Sequence, residues 1–517
     1  MNAVYKVAPY ISEGSSFDSQ DSFTDLDIQN LADWGFNFVR LGVMWEAVER
    51  SPGQYNDTYL DEVAGLINRL GEKGIHTMID AHQDIFARRI CGEGMPNFYA
   101  KRILDKGTYC LDEKYDFILE PVLKKFGYCK SIDDYDLRYD ADGNPLIEDC
   151  QKYNFAAIYT SPEALSIQRA FYFNDLGIQD KFAAFWKHVA TKFSSNDYVV
   201  AFDPLNEPAP AGRNLSEWLS NWAPGHLDSS LLAPLYARIF KDYQAIDPQS
   251  IMAFEPTPLP PDVIANVGFE TPPGGELNSA HHIMNEHTYC CGPLTDICIE
   301  EGGSHMEVAF WKTFCNYFHE YKVWRMGQDA RKLQIPLLIS EFGACTDVAP
   351  CVTEITQVAE RSDQVLGSWA YWQYKTFHDL TTTAGTSSEG FYNKDGSLQT
   401  HKLKALSRTY VQYAQGELTS MEFKDPKAAY GTTTGPKVFS ADIKIDTHTT
   451  APSVIFASID SPSDYTWYPH GYDITITGKG TKVEPVYKLE TYKNHITILV
   501  TNQEFNGQTL NVKITAK

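Results

Sequence analysis

Short apolar runs alternate with longer amphipathic segments from residue 26 onward. The run 36–43 (FNFVRLGV) is followed by a helical pattern at 60–74 and then by a second apolar run at 75–82 (IHTMIDAH). This order of apolar run, amphipathic helix and apolar run is typical of proteins built on a parallel sheet. The pattern therefore predicts a strand, a helix and a strand at the start of the chain.

The same alternation continues to about residue 374 and gives eight candidate strands. They lie near 4–7 and at 36–43, 75–82, 199–208, 250–256, 281–289, 336–344 and 365–374, with helical patterns at 60–74, 180–195, 231–247 and 305–333. Eight such units predict an α/β protein with a (β/α)8 TIM barrel, whose chemistry lies at the C-terminal ends of the strands. A doubly wound sheet is the alternative, but no GxGxxG turn follows any of these strands.

Two further segments differ from this repeat. Residues 86–160 form a polar, aromatic, cysteine-bearing insertion, which we expect to be an elaborate loop above the barrel mouth. After about residue 420 the sequence becomes Thr-rich and alternates with a period of two, which predicts a small β-sandwich. The expected domains are a barrel over residues 1–420 and a C-terminal sandwich over 421–517.

The charge balance limits the classes of partner. The 517 residues include 44 Lys and Arg against 67 Asp and Glu, a formal net charge of −23. Binding nucleic acid requires clustered basic side chains that neutralise phosphates, so this balance excludes nucleic acid as a partner. The longest apolar runs, such as 199–202 and 335–339, are far shorter than the ~20 residues that span a bilayer, which excludes an integral membrane protein.

The ten cysteines, an even number, predict disulfide bonds. Cys290, Cys291 and Cys298 lie in one loop-like segment and Cys345 and Cys351 in another, so we expect short bridges there. A zinc site is disfavoured because the chain has no CxxC pair. Reduced structural cysteines are the remaining alternative.

Disulfides are typical of the secretory route. Asn56 and Asn214 each begin a glycosylation acceptor triplet, which fits that route. The first residues lack the basic start and apolar region of a signal peptide. The chain begins at Met1 almost inside the predicted first strand. Either a signal segment is missing through truncation of the sequence, which we expect, or the natural protein starts late. The expected location is secreted, lysosomal or a digestive cavity.

Two of the predicted strands end in glutamates. Glu207 lies in LNEP (205–208) and Glu341 in ISEFG (339–343), a separation that suits the fourth and seventh strands of a barrel. An apolar strand that ends in an acid delivers its carboxylate to the barrel mouth. Either glutamate alone is equally well explained as a loop cap, whereas the two together indicate a functional pair.

Cleavage of a glycosidic bond requires such a pair. One carboxyl group must be protonated to donate to the leaving oxygen, and the other must be ionised to attack the anomeric carbon. Asn206 precedes Glu207 and can hydrogen-bond a sugar hydroxyl without adding charge. Arg40 and Tyr289 end two other predicted strands, and we expect them to supply a cation and a donor to Glu341.

These residues stand in five segments: FVRLGVMWEAVE (38–49), IDAHQD (79–84), FDPLNEP (202–208), HTY (287–289) and SEFGA (340–344). Together they resemble glycoside hydrolase family 5, and within it the endoglycoceramidases, which are similarly a barrel followed by a small β-sandwich. The likeness extends over essentially the whole chain. It implies that Glu207 is the acid/base and Glu341 the nucleophile, with no metal and no organic cofactor.

The resemblance also implies contacts with the substrate. The residues that match sugar-subsite positions of the family are Lys6, His82, Asp84, Asn206, Tyr289 and Trp372, to which Arg40 is added from its place at a strand end. His82 could instead be a core histidine, Asp84 a turn cap and Lys6 a surface lysine. Of Trp369 and Trp372, which face opposite sides of the last strand, Trp372 is expected to stack on a sugar ring because it lies nearer the strand end.

By this likeness the expected activity is hydrolysis of the bond between the oligosaccharide and ceramide of glycosphingolipids, by a monomer at a membrane or micelle surface. Another β-glycosidase of the family, acting on glucosylceramide, a sterol glucoside or a glucan, is the alternative enzyme. A carbohydrate-binding protein on an inactive barrel is the rival from another class, and the presence of both glutamates disfavours it. The insertion at 86–160 does not align with the family, so substrate preference stays open there.

Overall fold

The computed structural model describes residues 1–517 except 13, 15, 112–115, 126–127, 154, 259–264, 291–304, 378, 382–388 and 426–436. Its central element is a sheet of eight parallel strands. In spatial order they are Asn2–Ala3 (β1), Phe38–Gly42 (β2), His76–Asp80 (β5), Val199–Asp203 (β6), Met252–Phe254 (β7), His282–Thr288 (β8), Leu337–Phe342 (β9) and Ser368–Trp369 (β10). A short antiparallel ribbon, Glu49–Ser51 (β3) and Gln54–Tyr55 (β4), lies between β2 and β5 in the chain.

Backbone hydrogen bonds join the two ends of this sheet. The N–H of Asn2 donates to the carbonyl of Tyr371, and the N–H of Tyr374 donates to the carbonyl of Asn2, each over 3.0 Å. The predicted (β/α)8 TIM barrel is therefore confirmed. Its first strand lies at β1, before the predicted residues 4–7, because the chain leaves the sheet there and Lys6 enters a buried polar cluster.

Helices follow most of the barrel strands along the chain, and those among the described residues have the following bounds. They are Asp25–Asp33 (α1), Trp45–Val48 (α2), Asp57–Gly71 (α3), Asn97–Leu104 (α4), Asp116–Lys124 (α5), Ile147–Cys150 (α6), Phe155–Ile158 (α7), Pro162–Tyr172 (α8), Ile178–Phe193 (α9), Leu215–Asn221 (α10), Ala233–Ile246 (α11), His305–Leu333 (α12), Ala349–Val365 (α13) and Thr400–Leu406 (α14). In α3, buried Leu60, Val63, Ile67 and Leu70 recur every three or four residues and turn one face to the core. In the described parts of the chain, none of the helices combines the length and apolar character that crossing a bilayer requires.

The insertion at 86–160 contains the short helices α4 to α7. Its end reaches the mouth of the barrel, because the hydroxyl of Tyr159 lies 3.4 Å from Asp84 Oδ1, just beyond the end of β5. The insertion therefore contributes to the region where the chemistry of a TIM barrel takes place.

Disulfides hold this insertion and the segments after two strands. Those among the described residues pair Cys91 with Cys150, Cys110 with Cys129, Cys290 with Cys315, and Cys345 with Cys351. The predicted short bridge between Cys345 and Cys351 is confirmed. Cys290 is bound to α12 rather than to a neighbour in its own loop, and Cys291 and Cys298 lie outside the described residues.

Two antiparallel four-stranded sheets follow the barrel. In spatial order the first contains Tyr410–Tyr413 (β11), Ser453–Phe456 (β14), His495–Val500 (β17) and Tyr487–Tyr492 (β16), and the second contains Gly416–Lys424 (β12), Val438–Ile445 (β13), Thr509–Ala516 (β18) and Tyr472–Lys479 (β15). Buried Ile498 of the first sheet and Ile443 and Ile514 of the second share one apolar core, as in a β-sandwich. These strands begin before the boundary predicted at residue 420, and the division into domains stays a prediction.

Candidate active site

The two predicted glutamates meet at the C-terminal ends of the fourth and seventh strands of the barrel, β6 and β9. One carboxylate oxygen of Glu207 and one of Glu341 lie within 4.8 Å of each other and of a ring nitrogen of His287. The strand ends of a TIM barrel are where its enzymes place catalytic groups. The structure therefore brings the two carboxyl groups into one site.

Glu341 is buried within β9, and three side chains contact its carboxylate. Arg40 Nη1 lies 2.6 Å from Oε1, the hydroxyl of Tyr289 donates to Oε2 over 2.9 Å, and His287 Nδ1 lies 3.5 Å from Oε2. Burial raises the pKa of Glu341, and the positive charges of His287 and Arg40 oppose this without cancelling it. Glu341 therefore releases its proton at a higher pH than an exposed glutamate does.

Glu207 is the more open of the two. Its side chain is 23% exposed, against 6% for Glu341. His287 Nδ1 lies 2.8 Å from Glu207 Oε1, and Glu255 Oε2 accepts the backbone N–H of Glu207 over 2.9 Å. The backbone of Glu207 has a φ of 41°, in the left-handed region that non-glycine residues rarely adopt. Solvent and a leaving group can reach this carboxyl while its backbone is held by a neighbouring strand end.

Arg40 is fully buried on β2 and joins several strand ends. Nη2 lies 3.1 Å from Asp80, 2.8 Å from Asp203 and 3.0 Å from Glu255, while Nη1 holds Glu341. Burial acts to lower the pKa of Arg40, but these carboxylates raise it well above its ordinary value. Burial also raises the pKa of Asp203 well above its ordinary value, which reduces the negative charge around the guanidinium. The guanidinium of Arg40, which stays charged, thus holds the carboxylates of Asp80, Asp203, Glu255 and Glu341 together beneath the barrel mouth.

Asn206, which precedes Glu207, is buried and fully engaged by its neighbours. Its Oδ1 accepts a hydrogen bond from Arg40 Nη2 over 2.8 Å, and its Nδ2 donates to the carbonyl of Gln83 over 3.0 Å. The same Nδ2 lies 3.5 Å from His82 Nε2. Asn206 therefore connects the Arg40 cluster to the segment after β5.

Lys6 is fully buried in a second polar cluster. Its Nζ lies 2.7 Å from Asp84, 3.1 Å from Asp379 and 3.5 Å from Glu93, and it donates to Thr381 Oγ1 over 2.6 Å. Burial acts to lower the pKa of Lys6, but the carboxylates raise it well above its ordinary value. The alternative of a surface lysine at this position is excluded.

His82 and Trp372 connect the two clusters. His82 Nδ1 lies 2.8 Å from Asp80 Oδ2, and its ring stacks on Trp372 with centroids 5.0 Å apart. Burial acts to lower the pKa of His82, but Asp80 raises it to about 9, so the imidazole is charged at neutral pH. Trp372 is 1% exposed, and its Nε1 donates to Glu389 over 3.0 Å. A stacking surface for a sugar at Trp372 stays a prediction.

Among the residues that the structure describes, two groups have the composition of a metal site: His82 with Asp84 and Glu93, and Glu207 with His287 and Glu341. In the first, the ammonium of Lys6 lies between the carboxylates of Asp84 and Glu93. In the second, the guanidinium of Arg40 contacts Glu341. The protein's own cations thus neutralise the carboxylates that a metal ion would require.

Sequence reasoning missed His287 and Glu255, although both carried a signal. His287 stands two residues before Tyr289 in HTY, and a period of two places both on one face of the strand. Glu255 ends the predicted strand 250–256 in a Glu-Pro pair, the same arrangement as Glu207 with Pro208. The pairing of Glu93 and Asp379 with Lys6 had no comparable signal, because it depends on loops far apart in the chain.

Comparison with known proteins gives relatives over nearly the whole chain. An endoglycoceramidase of Cyanea nozakii is 26% identical over 92% of this chain and 83% of its own length, and one of Hydra vulgaris is 26% identical over 82% and 71%. The solved structure of endo-glycoceramidase II from Rhodococcus sp. aligns with a TM-score of 0.67 and 19% identity, over 100% of this chain and 96% of that chain. Its complex with ganglioside GM3 aligns with a TM-score of 0.66.

The family model described as "Cellulase (glycosyl hydrolase family 5)" matches residues 8–378. This range includes β2 and β5 to β10, together with Glu207, Glu341 and the residues that contact them. The chain belongs to glycosyl hydrolase family 5.

Proposed function

We propose that this protein is a retaining endo-glycosidase that hydrolyses the β-glycosidic bond between the oligosaccharide and the ceramide of glycosphingolipids. The observation that carries the proposal is the pair of Glu207 and Glu341, whose oxygens come within 4.8 Å at the barrel mouth. Retaining glycosidases hold their carboxyl groups about 5–5.5 Å apart, whereas inverting enzymes keep them about 6.5–9.5 Å apart to admit a water molecule. The short separation supports the retaining route.

In the first step, Glu341 attacks the anomeric carbon while Glu207 gives its proton to the departing ceramide oxygen. In the second step, Glu207 takes a proton from water, and the water oxygen displaces Glu341 to release the glycan. The exposures of the two carboxyl groups support these roles. The nucleophile is buried and fixed by Arg40 and Tyr289, while the acid/base is open to the leaving group and to water.

The remaining predicted residues are assigned to the glycone. They are Lys6, His82, Asp84, Asn206 and Trp372, with Arg40 and Tyr289 holding the nucleophile. The assignment is supported by the chain of contacts that runs from Asn206 through His82 to Trp372 and Lys6. Such a combination of charged, amide and aromatic groups suits the many hydroxyls and the apolar face of a sugar.

The substrate class is supported by the relatives. Those from C. nozakii and H. vulgaris are both named endoglycoceramidases and match over most of either chain, and the Rhodococcus sp. protein has been solved with a ganglioside. Proteins named glucosylceramidase or ergosteryl-beta-glucosidase match over only 69–84 residues. These matches therefore favour cleavage between the oligosaccharide and ceramide over the activity of a glucosidase of the same family.

A secreted, lysosomal or digestive-cavity location is part of this proposal. It is supported by the disulfides among the described cysteines, which persist in oxidising compartments. Asn56 and Asn214 cap the helices α3 and α10 through their side-chain oxygens. The amide nitrogen, to which an N-glycan is attached, is not the atom used in either cap. Both asparagines are therefore compatible with glycosylation.

The products formed from one ganglioside test the proposal. We expect an intact oligosaccharide and free ceramide to appear together from the first minutes of the reaction, because the cleaved bond is the one to the lipid. Thin-layer chromatography of the lipid phase and mass spectrometry of the aqueous phase measure both. Stepwise release of monosaccharides, or cleavage of glucosylceramide alone, would instead assign the alternative β-glycosidase activity.

The response to salt and pH tests the membrane surface as the place of reaction. A net charge of −23 repels anionic vesicles, and salt shortens the Debye length to about 8 Å near physiological ionic strength. We expect moderate salt to raise the rate on ganglioside in anionic vesicles and to leave the rate on a soluble aryl glycoside unchanged. On both substrates activity should peak in mildly acid solution.

The acid side of this optimum follows from Glu341. Since burial raises the pKa of Glu341, the nucleophile is ionised only above that value, and activity is lost as the pH falls through it. On the alkaline side the acid/base must still hold a proton for the leaving oxygen. Equal salt effects on the soluble and vesicle substrates, or an optimum well above neutrality, would contradict this expectation.

A further inference from the structure

Glu255 directly follows the end of β7, and the two oxygens of its carboxylate contact different groups. Oε2 accepts the backbone N–H of Glu207 over 2.9 Å. Oε1 lies 3.0 Å from Arg40 Nη2, 3.2 Å from His287 Nε2 and 3.2 Å from Asn285 Nδ2. The side chain is 2% exposed. Glu255 thus touches the backbone of the proposed acid/base and two cations of the site, Arg40 and His287, without facing the open mouth.

The bond to the backbone matters because of the conformation of Glu207. A φ of 41° is disfavoured for a residue with a side chain and persists only where the surroundings hold it. The carboxylate of Glu255 accepts the N–H of this same residue, and hydrogen bonds to an ionised acceptor are stronger than neutral ones. Glu255 therefore holds the acid/base in the backbone conformation that aims its side chain into the mouth.

Glu255 also contacts His287, which in turn contacts the side-chain carboxyl group of Glu207. His287 lies between three carboxylates, with Nδ1 2.8 Å from Glu207 and 3.5 Å from Glu341, and Nε2 3.2 Å from Glu255. Burial acts to lower the pKa of His287, but Glu255 and Glu341 raise it well above its ordinary value. Glu255 in turn is ionised, since His287 and Arg40 outweigh burial and lower its pKa.

The other charged groups near His287 lie around a cavity of about 10 Å³ behind it. Lys322 and Arg325 of α12 and Glu286 of β8 line this cavity together with Glu255 and His287. Arg325 Nη2 donates to Glu286 over 2.6 Å, so these two charges are paired with each other. Burial lowers the pKa of Lys322 to about 8, which leaves the ammonium as a further positive charge on this side. Glu255 is therefore the anion that contacts Nε2 of His287.

We propose that Glu255 is a positioning residue of the acid/base, which fixes the backbone of Glu207 and keeps His287 as an imidazolium that donates to the Glu207 carboxylate. This inference rests on the proposed role of Glu207. An imidazolium carries a proton on both ring nitrogens, so Nδ1 of a charged His287 can only donate to the Glu207 carboxyl and holds it in place. It also occupies Oε1 and leaves the other oxygen of Glu207 for the substrate.

The variant Glu255→Gln separates this role from a structural one. Without the negative charge, His287 loses its proton at a lower pH, and the neutral imidazole is no longer obliged to donate to Glu207 from Nδ1. We expect the alkaline limb of kcat/KM on an aryl glycoside to move to lower pH, because His287 then loses at lower pH the proton that it donates to Glu207. Release of the glycan should slow by about tenfold or more, because a neutral amide holds the backbone N–H of Glu207 less firmly than a carboxylate does, and His287 no longer fixes the Glu207 carboxyl for the attack of water. A burst of aryl alcohol measures this change in rate-limiting step.

Two matched variants control for burial and geometry. Glu255→Asp keeps the charge but shortens the reach, so both steps should slow while the alkaline limb stays in place. Glu286→Gln removes an equally buried carboxylate that pairs with Arg325, so it should lower the melting temperature without moving the limb or producing a burst. An unmoved limb in Glu255→Gln, or the same displacement in Glu286→Gln, overturns the proposal.

A measurement of the protonation state of His287 in the wild type tests the proposal even where Glu255→Gln does not fold. In protein labelled with ¹⁵N-histidine, and with His287 assigned by its substitution, we expect both ring nitrogens to be protonated at pH 7. A neutral His287 at pH 7 overturns the proposal. This experiment needs no glycolipid, so failure of the proposed substrate in product analysis is distinguishable from failure of this inference.

Discussion

Replacing Glu341 by serine is expected to reduce hydrolysis of a ganglioside to below about 1% of the wild-type rate while leaving glycolipid binding largely intact. Serine is too short to reach the anomeric carbon and cannot form the glycosyl ester. The groups assigned to the glycone, from Asn206 to Lys6, do not depend on the nucleophile for their own contacts. Initial rates from released ceramide, together with binding isotherms on vesicles, measure the two effects separately.

Ser340→Ala is the matched control on the same strand. Ser340 precedes Glu341, is fully buried, and its Oγ has no hydrogen-bond partner among the residues that the structure describes. Successive residues of a strand face opposite sides, so this change should leave turnover close to the wild type. A 2-fluoro glycosyl inactivator should label Glu341 of the wild type, located by mass spectrometry. A label on another residue would remove Glu341 from the role of nucleophile.

The barrel was predictable because parallel strands covered on both faces read as continuous apolar runs, and β9 is buried at every residue. The strand β16 of the sandwich shows the opposite pattern of burial. Tyr487 and Leu489 alternate with Lys488 and Glu490, but all six residues of Tyr487–Tyr492 are exposed, so the alternation does not correspond to a buried face. Its pairing with β17 comes from backbone hydrogen bonds, which carry no side-chain signal.

Part of the site was predictable by the same logic. Glu341 lies near the end of β9 and Tyr289 directly follows β8, and parallel strands bring their C-terminal ends to one mouth. Arg40 lies in the middle of β2 rather than at its predicted end, and its long side chain reaches the other two. Lys6 could not be placed in this way. Its partners Asp379 and Thr381 lie in the loop after the last strand, and no local pattern predicts that a lysine near the N-terminus is buried among them.

Replacing Glu207 by alanine is expected to slow ganglioside hydrolysis by about 10³-fold or more, and release of an activated aryl alcohol far less. Ceramide leaves as a poor leaving group that needs a proton, whereas an activated phenolate departs without one. The second step needs the base for both substrates, so the aryl glycoside should give a burst followed by slow release. Comparing the burst with the steady rate on the two substrates measures this difference, and equal losses on both would exclude Glu207 as the acid/base.

Added azide extends this test to the geometry of the site. Azide needs no general base, so in Glu207→Ala it should attack the glycosyl-enzyme from the side where water normally enters and restore turnover of the aryl glycoside. If Glu341 is the nucleophile, the anomeric carbon of the glycosyl-enzyme has been inverted once, and the product should be the β-glycosyl azide. In Glu341→Ala azide would replace the nucleophile itself and give the α-product. A β-azide from one variant and an α-azide from the other would place the two carboxyl groups on opposite faces of the sugar, whereas the reverse assignment of products would exchange their roles.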